Sequence, residues 1–412
     1  MQTRLQQAMR ETPEGEEAEA ILRKCVHCGF CNATCPTYQI LGDELDGPRG
    51  RIYLIKQMLE GHATSADTRQ HLDRCLTCRN CETTCPAGVQ YGRLLETGRR
   101  LALKRNPRSL TEQAMRRALA AFLHTGVLFT PVLRLGQVLQ AALPAAVADH
   151  IPARRPAAGV WPRMTHERKV ILLQGCVQPA MAPNINRATA RVLDQASIQV
   201  LRASAAHCCG AIHQHLDFEA ASLADARRNI DAWWPLIEGG AEAIVSNASG
   251  CGVALKEYGH RLRNDPHYAR KAEQISAMTK DIAEVLEPHA AQLAQEARFP
   301  PPAGVAFHPP CTLQHGLQIR GKVEAILAAF GINARLPHDA HLCCGSAGTY
   351  SLFQPELSLT LRDEKCRALT QTGATCVATA NIGCIAHLQN GTAIPVVHWI
   401  EVIDSVLCGT AL

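Results

Sequence analysis

Apolar positions along this chain change their period after Arg168. In the N-terminal part, IYLIKQMLE at Ile52–Glu60 carries Ile52, Ile55 and Leu59 at helical spacing on one side. A second helical pattern runs over Thr111–Leu123. Pro131, Pro144, Pro152, Pro156 and Pro162 follow it as breakers, and the stretch ends in RRPAAGVWP, so a helical connector and a proline-rich linker are expected. Beyond Arg168 short, fully apolar runs alternate with helical segments. They are Val170–Leu173, Ile198–Leu201, Ala243–Val245, Val305–Phe307, Ile332–Leu336 and Val377–Ala380. Such runs between helices predict buried parallel strands.

At 412 residues, 47% hydrophobic and 19% charged, the chain has room for two or three globular domains. A net charge of +5, with acidic and basic residues interspersed, does not indicate a nucleic-acid surface, and 4% aromatic content argues against base-stacking platforms. The most apolar stretch, Ala118–Leu133, is shorter than the ~20 residues a membrane span needs. It is also interrupted by His124, Gly126 and Pro131, so a helix docked on protein is expected.

The 19 cysteines change the picture. The start, MQTRLQQAMRETPEGEEAEA, has no apolar core of a signal peptide, so a reducing cytoplasm is expected. There, many cysteines mean metal ligation or redox chemistry. Sixteen of them fall into two internal repeats. CVHCGFCNATCP at Cys25–Pro36 is matched by CLTCRNCETTCP at Cys75–Pro86, with an offset of 50 at all four cysteines. Further on, Cys176, Cys208, Cys209 and Cys251 match Cys311, Cys343, Cys344 and Cys384, with offsets of 135, 135, 135 and 133. Cys366, Cys376 and Cys408 are left over and read as packing thiols.

The first repeat is C-x2-C-x2-C-x3-C-P, a run that binds iron–sulfur clusters. Three cysteines two residues apart wrap a tight loop, so their thiolates converge on three corners of one cubane. The fourth is carried away by its turn and the following proline and ligates the other cluster. Cys25, Cys28, Cys31 and Cys85 are therefore assigned to one [4Fe–4S] cluster, and Cys75, Cys78, Cys81 and Cys35 to a second. Structural zinc is the competing reading, but it takes cysteine pairs separated by longer loops. Arg49 and Arg51, in the turn leading to the Ile52 helix, could stabilise the anionic clusters or simply start a solvated helix.

In the second repeat each cysteine follows an apolar run, which puts it at the carboxyl edge of a parallel sheet, where open α/β sheets place ligands. Cys176, Cys208, Cys209 and Cys251, and likewise Cys311, Cys343, Cys344 and Cys384, could bind a further cluster, form a redox disulfide, or be inert buried thiols. His207, His308 and His341 lie beside these motifs as ligands, proton donors or structural residues. The expected fold is α + α/β. An N-terminal helical ferredoxin domain with two [4Fe–4S] clusters (1–105) is followed by the connector and linker (106–165) and two repeated α/β Cys-Cys-Gly domains (166–298 and 299–412).

CVHCGFCNATCPTY, GDELDGPRGRIYLIKQ, HLDRCLTCRNCETTCP, RNIDAWWP, CCGSAGTY, TANIGC and HWIE together resemble the family of glycolate oxidase iron–sulfur subunits, from end to end. The resemblance implies separate subunits that carry FAD and oxidise glycolate to glyoxylate. This chain would carry their electrons toward a membrane acceptor, quinone or the respiratory chain, with no catalytic residue of its own. No flavin fingerprint of the G-x-G-x-x-G kind follows a strand here. The resemblance also implies a cytoplasmic chain at the inner face of the plasma membrane. Relatives that hold a special cluster in such domains end the motif with C-x-x-C, whereas Cys251 and Cys384 each stand alone. A thiol–disulfide oxidoreductase of the heterodisulfide reductase type, or an iron–sulfur subunit of a lactate or glycerol-3-phosphate dehydrogenase, is the alternative.

Overall fold

The computed structural model describes residues 1–124, 126–142, 144 and 151–411. Positions 125, 143 and 145–150 of the expected connector lie outside the described residues. Two compact units emerge, one of Met1–Arg116 with His341–Leu361, the other of Arg117–Ala340 with Arg362–Leu412. The segment 341–361, expected inside the second Cys-Cys-Gly domain, thus groups with the first unit.

The first unit is helical. Thr12 caps the helix Pro13–Lys24 by accepting from Gly15 N, with Pro13 in the first turn, where its missing N–H costs nothing. The expected Ile52 helix spans Pro48–Leu59 and buries Ile52, Ile55, Met58 and Leu59. It packs on the helix Tyr91–Arg105. Gly98 permits that approach, because a Cβ there would fall 2.5 Å from Ile55 Cγ1. Leu22, Leu72, Leu94 and Leu95 complete a core that reaches the cysteines Cys25, Cys75 and Cys81.

The second unit holds two parallel sheets. β1 (Arg168–Leu172), β2 (Ile198–Leu201), β3 (Ala243–Ser246) and β4 (Thr279–Asp281) are ordered β2-β1-β3-β4. β5 (Val305–His308), β6 (Cys376–Thr379) and β7 (Val396–His398) are ordered β5-β6-β7. Every strand pairing is parallel, and β3, β5, β6 and β7 are buried along their length, as fully apolar runs require. The run Ile332–Leu336 is the exception. It forms only an isolated bridge between Ala306 and Arg335, since Pro337 cannot donate to a ladder. The helices Asn184–Gln195 and Trp399–Cys408, one from each repeat, pack against each other.

The connector helix runs over Leu110–His124, as its periodicity predicts. A second helix, Gly126–Leu139, then carries Pro131 inside it, so this proline does not end the helix. The carbonyl it crowds is four residues back, in the helix's first turn. Among the described residues no single helix is long and apolar enough to cross a membrane.

Candidate functional site

The duplicated cysteine runs fold alike. Gly29 (φ 89°) and Arg79 (φ 60°), equivalent in the repeat, both turn left-handed ahead of the short helices Phe30–Ala33 and Asn80–Thr84. His27 (φ 61°) and Thr77 (φ 53°), also equivalent, do the same two residues earlier. Three of these four are not glycine, so the curl stores backbone strain at the positions between the ligand cysteines.

One cavity is lined by Cys25, Cys28 and Cys31 of the first run and by Cys85 of the second. Another is lined by Cys75, Cys78, Cys81 and, from the first run, Cys35. Pro48, Cys81 and Tyr91 line both, so the two cavities share a wall. Burial pushes the Cys31 thiol up to about 11, and the charges of Cys25, Cys85 and Cys28 add to it. Burial likewise raises Cys81 well above the usual thiol range. Four thiolates cannot be packed together in apolar surroundings without a compensating cation, and metal coordination deprotonates a thiol outright. The buried hydroxyl of Tyr91 lines both cavities and faces the Cys75 thiol, as suits a donor to a cluster ligand. The donor set fits two iron–sulfur clusters.

The two arginines of Gly47-Pro-Arg-Gly-Arg51 part company. Arg49 lines the first cavity, with its side chain 34% exposed and doubly bonded to Glu44. Arg51 is wholly buried and lines the second cavity. It is therefore no solvated helix start.

In the first Cys-Cys-Gly repeat, Cys176, Cys208 and Cys209, and Cys251 follow the carboxyl ends of β1, β2 and β3, as expected. Their thiols form a hydrogen-bonded chain, Cys176 to Cys208, Cys208 to Cys209, and Cys209 to Cys251. Cys208 is the acceptor at its centre. Donation from Cys176 and Cys209 pulls it well below the usual thiol range against burial, aided by Gly210 N–H (3.4 Å) and His124. Cys176 and Cys209 are pushed well up in turn, chiefly by Cys208. Asn229 and Tyr258 fix the Cys-Cys peptides. Asn229 Nδ2 donates to Cys208 O at 2.8 Å, and Tyr258 Oη donates to Cys209 O at 2.9 Å.

In the second repeat, Cys311 follows β5 and Cys384 lies in the helix Ile382–Gln389 after β6, both in the second unit. Cys343 and Cys344 lie in the first unit. Two bonds of their turn repeat those of the first copy. Gly345 N donates to Cys343 Sγ at 3.5 Å, and Ser358 Oγ to Gly345 O at 2.9 Å, matching Gly210 N to Cys208 Sγ and Ser222 Oγ to Gly210 O.

Of the three candidate histidines, His308 is a buried residue of β5 whose Nδ1 meets Thr379 Oγ1 at 3.0 Å. The backbone N–H of His207 donates to Asn229, and the His341 carbonyl accepts from Asn80. The histidine that does act on Cys208 is His124. Its Nε2 lies 2.8 Å from the buried Asp225, which also meets His213 Nδ1 at 2.6 Å. Sequence reasoning missed this group because His124 sits 101 residues from Asp225 with no motif between them. Burial raises Cys366, Cys376 and Cys408 to about 11 each, consistent with packing thiols.

Comparison with known proteins finds matches over both kinds of cysteine repeat. A family described as "4Fe-4S dicluster domain" matches residues 21–89, and one described as "Cysteine-rich domain" matches 170–256 and 305–389. The "Glycolate oxidase iron-sulfur subunit" of Escherichia coli (strain K12) is 49% identical over 407 residues, 99% of each chain. The "Probable glycolate oxidase iron-sulfur subunit" of Bacillus subtilis (strain 168) is 31% identical over 404 residues, 90% of this chain and 89% of its own. "Lactate utilization protein A" of an Exiguobacterium species is 24% identical over 241 residues, 57% of this chain and 96% of its own.

Proposed function

The chain belongs to the family of glycolate oxidase iron–sulfur subunits, and from that premise we infer that Cys25, Cys28, Cys31 and Cys85 hold one cluster and Cys75, Cys78, Cys81 and Cys35 the other. The chain is the iron–sulfur electron-transfer subunit of this oxidoreductase complex and carries [4Fe–4S] clusters. Bound in these cavities, the clusters supply one-electron transfer. The protein's part is to fix the sulfur ligands, exclude water and hold the two sites across one shared wall. The observation that carries the ligand assignment is that each cavity gathers the first three cysteines of one run and the fourth of the other, with Cys81 alone reaching both.

Partner subunits bearing FAD supply the electrons from the oxidation of glycolate to glyoxylate, and quinone or the respiratory chain receives them. Attachment is peripheral, at the cytoplasmic face of the plasma membrane. The helix Gly126–Leu139 supports this. It buries Phe129 and Leu133 yet leaves Leu128, Val132, Leu135 and Val138 between 52% and 74% exposed. No acidic residue occurs from Gln113 to Ala148, while the exposed Arg117 and Arg134 do. An exposed apolar face with arginines and no acid suits an anionic lipid surface.

The four thiols of the first Cys-Cys-Gly repeat favour an added role, as a redox couple or as ligands of a further cluster. The same role for Cys311, Cys343, Cys344 and Cys384 rests on the sequence repeat. Iron and acid-labile sulfide counts on the anaerobically purified chain, with electron paramagnetic resonance of the reduced state, test both assignments. About eight irons with coupled reduced signals agree with two four-iron clusters. About twelve or more would add a cluster on the Cys-Cys-Gly thiols. Stoichiometric zinc with little iron would overturn the ligand assignment.

A further inference from the structure

We propose that the buried guanidinium of Arg51 orders the two cluster potentials, making the cluster on Cys75, Cys78, Cys81 and Cys35 the more readily reduced of the pair. The proposal rests on the ligand assignment above.

Arg49 and Arg51 are two residues apart, yet their charges are handled in opposite ways. Arg49 meets Glu44 through Nε at 2.5 Å and Nη2 at 3.0 Å, so one cation faces one anion at a partly solvated rim. Little net charge is left to act on the first cavity. Arg51 is 0% exposed. Its Nη1 lies 3.9 Å from Cys35 Sγ, its Nη2 donates to Thr37 Oγ1 at 3.1 Å, and its Nε donates to His71 O at 2.7 Å. Its carboxylate partner, Asp46, is at 3.4 Å and is shared with Arg74, which holds the other oxygen at 2.8 Å. Two guanidinium groups thus face one buried carboxylate. The excess positive charge lies against a ligand sulfur of the second cavity.

Each reduction adds one negative charge to a cluster. A cation in contact with it, out of water, favours the reduced state more than a solvated and paired cation does. Solvent works the other way, since it also favours the reduced state and reaches the first cavity at the exposed Cys28. Water screens and reorients, whereas the Arg51 charge is fixed and desolvated, so the arginine dominates. Electrons shared between the two clusters would then rest on the second, beside Arg51.

The test is a redox titration, followed by electron paramagnetic resonance, of the full chain purified anaerobically with its clusters. Wild type, Arg51→Gln and Arg51→Lys are compared, and iron is counted in each. Cys78→Ser identifies the signal of the second cluster. Arg51→Gln should lower that cluster's midpoint by at least a tenfold change in its reduction equilibrium, about 59 mV for a one-electron couple. The other midpoint should stay in place, and Arg51→Lys should restore most of the shift. If Arg51→Gln sheds iron, Arg74→Gln, at the edge of the same network, should shift the same midpoint downward. Unmoved midpoints with iron retained, or a shift confined to the other cluster, would overturn the proposal. A wild-type count well below eight irons, with stoichiometric zinc in their place, would instead sink the ligand assignment on which it stands.

Discussion

Thr34 and Thr84 hydrogen-bond to each other through their hydroxyl groups at 3.1 Å. They occupy the same position in the two cysteine runs, so the contact joins the motif to its own duplicate. Each threonine directly precedes the cysteine that lines the opposite run's cavity, Cys35 in one case and Cys85 in the other. The two runs meet at this point, beside the cysteines that crossed ligation would exchange between them.

Crossed ligation predicts which cluster each mutation removes. Cys85→Ser should abolish the cluster held by Cys25, Cys28 and Cys31, although it lies in the other run. Cys35→Ser should abolish the one held by Cys75, Cys78 and Cys81. Each should lose about four irons, one cubane's worth, and the spin coupling between clusters. If Cys85→Ser instead destroyed the signal that Cys78→Ser destroys, ligation would run within each loop.

Arg191 grips Asp404 with two bonds of 2.8 and 2.6 Å, and Asp404 is fully buried. This pair links the facing helices of the two Cys-Cys-Gly repeats. Asp404→Ala leaves a mostly buried guanidinium without its partner, which should cost about 3 kcal/mol. Urea unfolding followed by circular dichroism reads the loss, and the iron count should be unchanged. A cost below about 0.5 kcal/mol, typical of exposed pairs, would mean that the pair is solvated.

Acid should loosen the second unit. Burial holds His308 and His398 down to about 3, against 6.5 for a free histidine. Below pH 6.5 the unfolded chain binds protons that the folded chain refuses, so stability falls as pH drops toward 3. The slope is about 1.4 kcal/mol per pH unit for each histidine. His308→Gln and His398→Asn should each flatten the dependence of the urea midpoint between pH 7 and pH 5. Asn is chosen at 398 because His398 caps the helix Trp399–Cys408.

Vesicles test the apolar helix. The full chain should float with vesicles containing anionic lipid and much less with neutral ones. Val132→Asp with Leu135→Asp should abolish flotation and leave the iron content intact. Failure to bind vesicles of either composition would assign this face to a partner subunit instead.

The cysteine spacing by itself determined the helical two-cluster module, because ligands two residues apart reach one metal core through local backbone alone. The apolar runs likewise announced most strands of both sheets and the place of the cysteines that follow β1, β2, β3, β5 and β6. β4, only three residues long with Lys280 exposed at its centre, carried no such signal. Ile332–Leu336 carried a false one, undone by the proline behind it. What only the tertiary structure decided is which side chains meet across the chain. The pattern of residues 46–51 is equally compatible with two solvated arginines. Burial of Arg51 against Cys35, with Asp46 divided between Arg51 and Arg74, follows from helices packing around it. His124 finds Cys208 and Asp225 for the same reason. Local spacing encodes what the backbone can reach within a few residues, while the charge and proton environment of a site is set by distant neighbours that folding brings together.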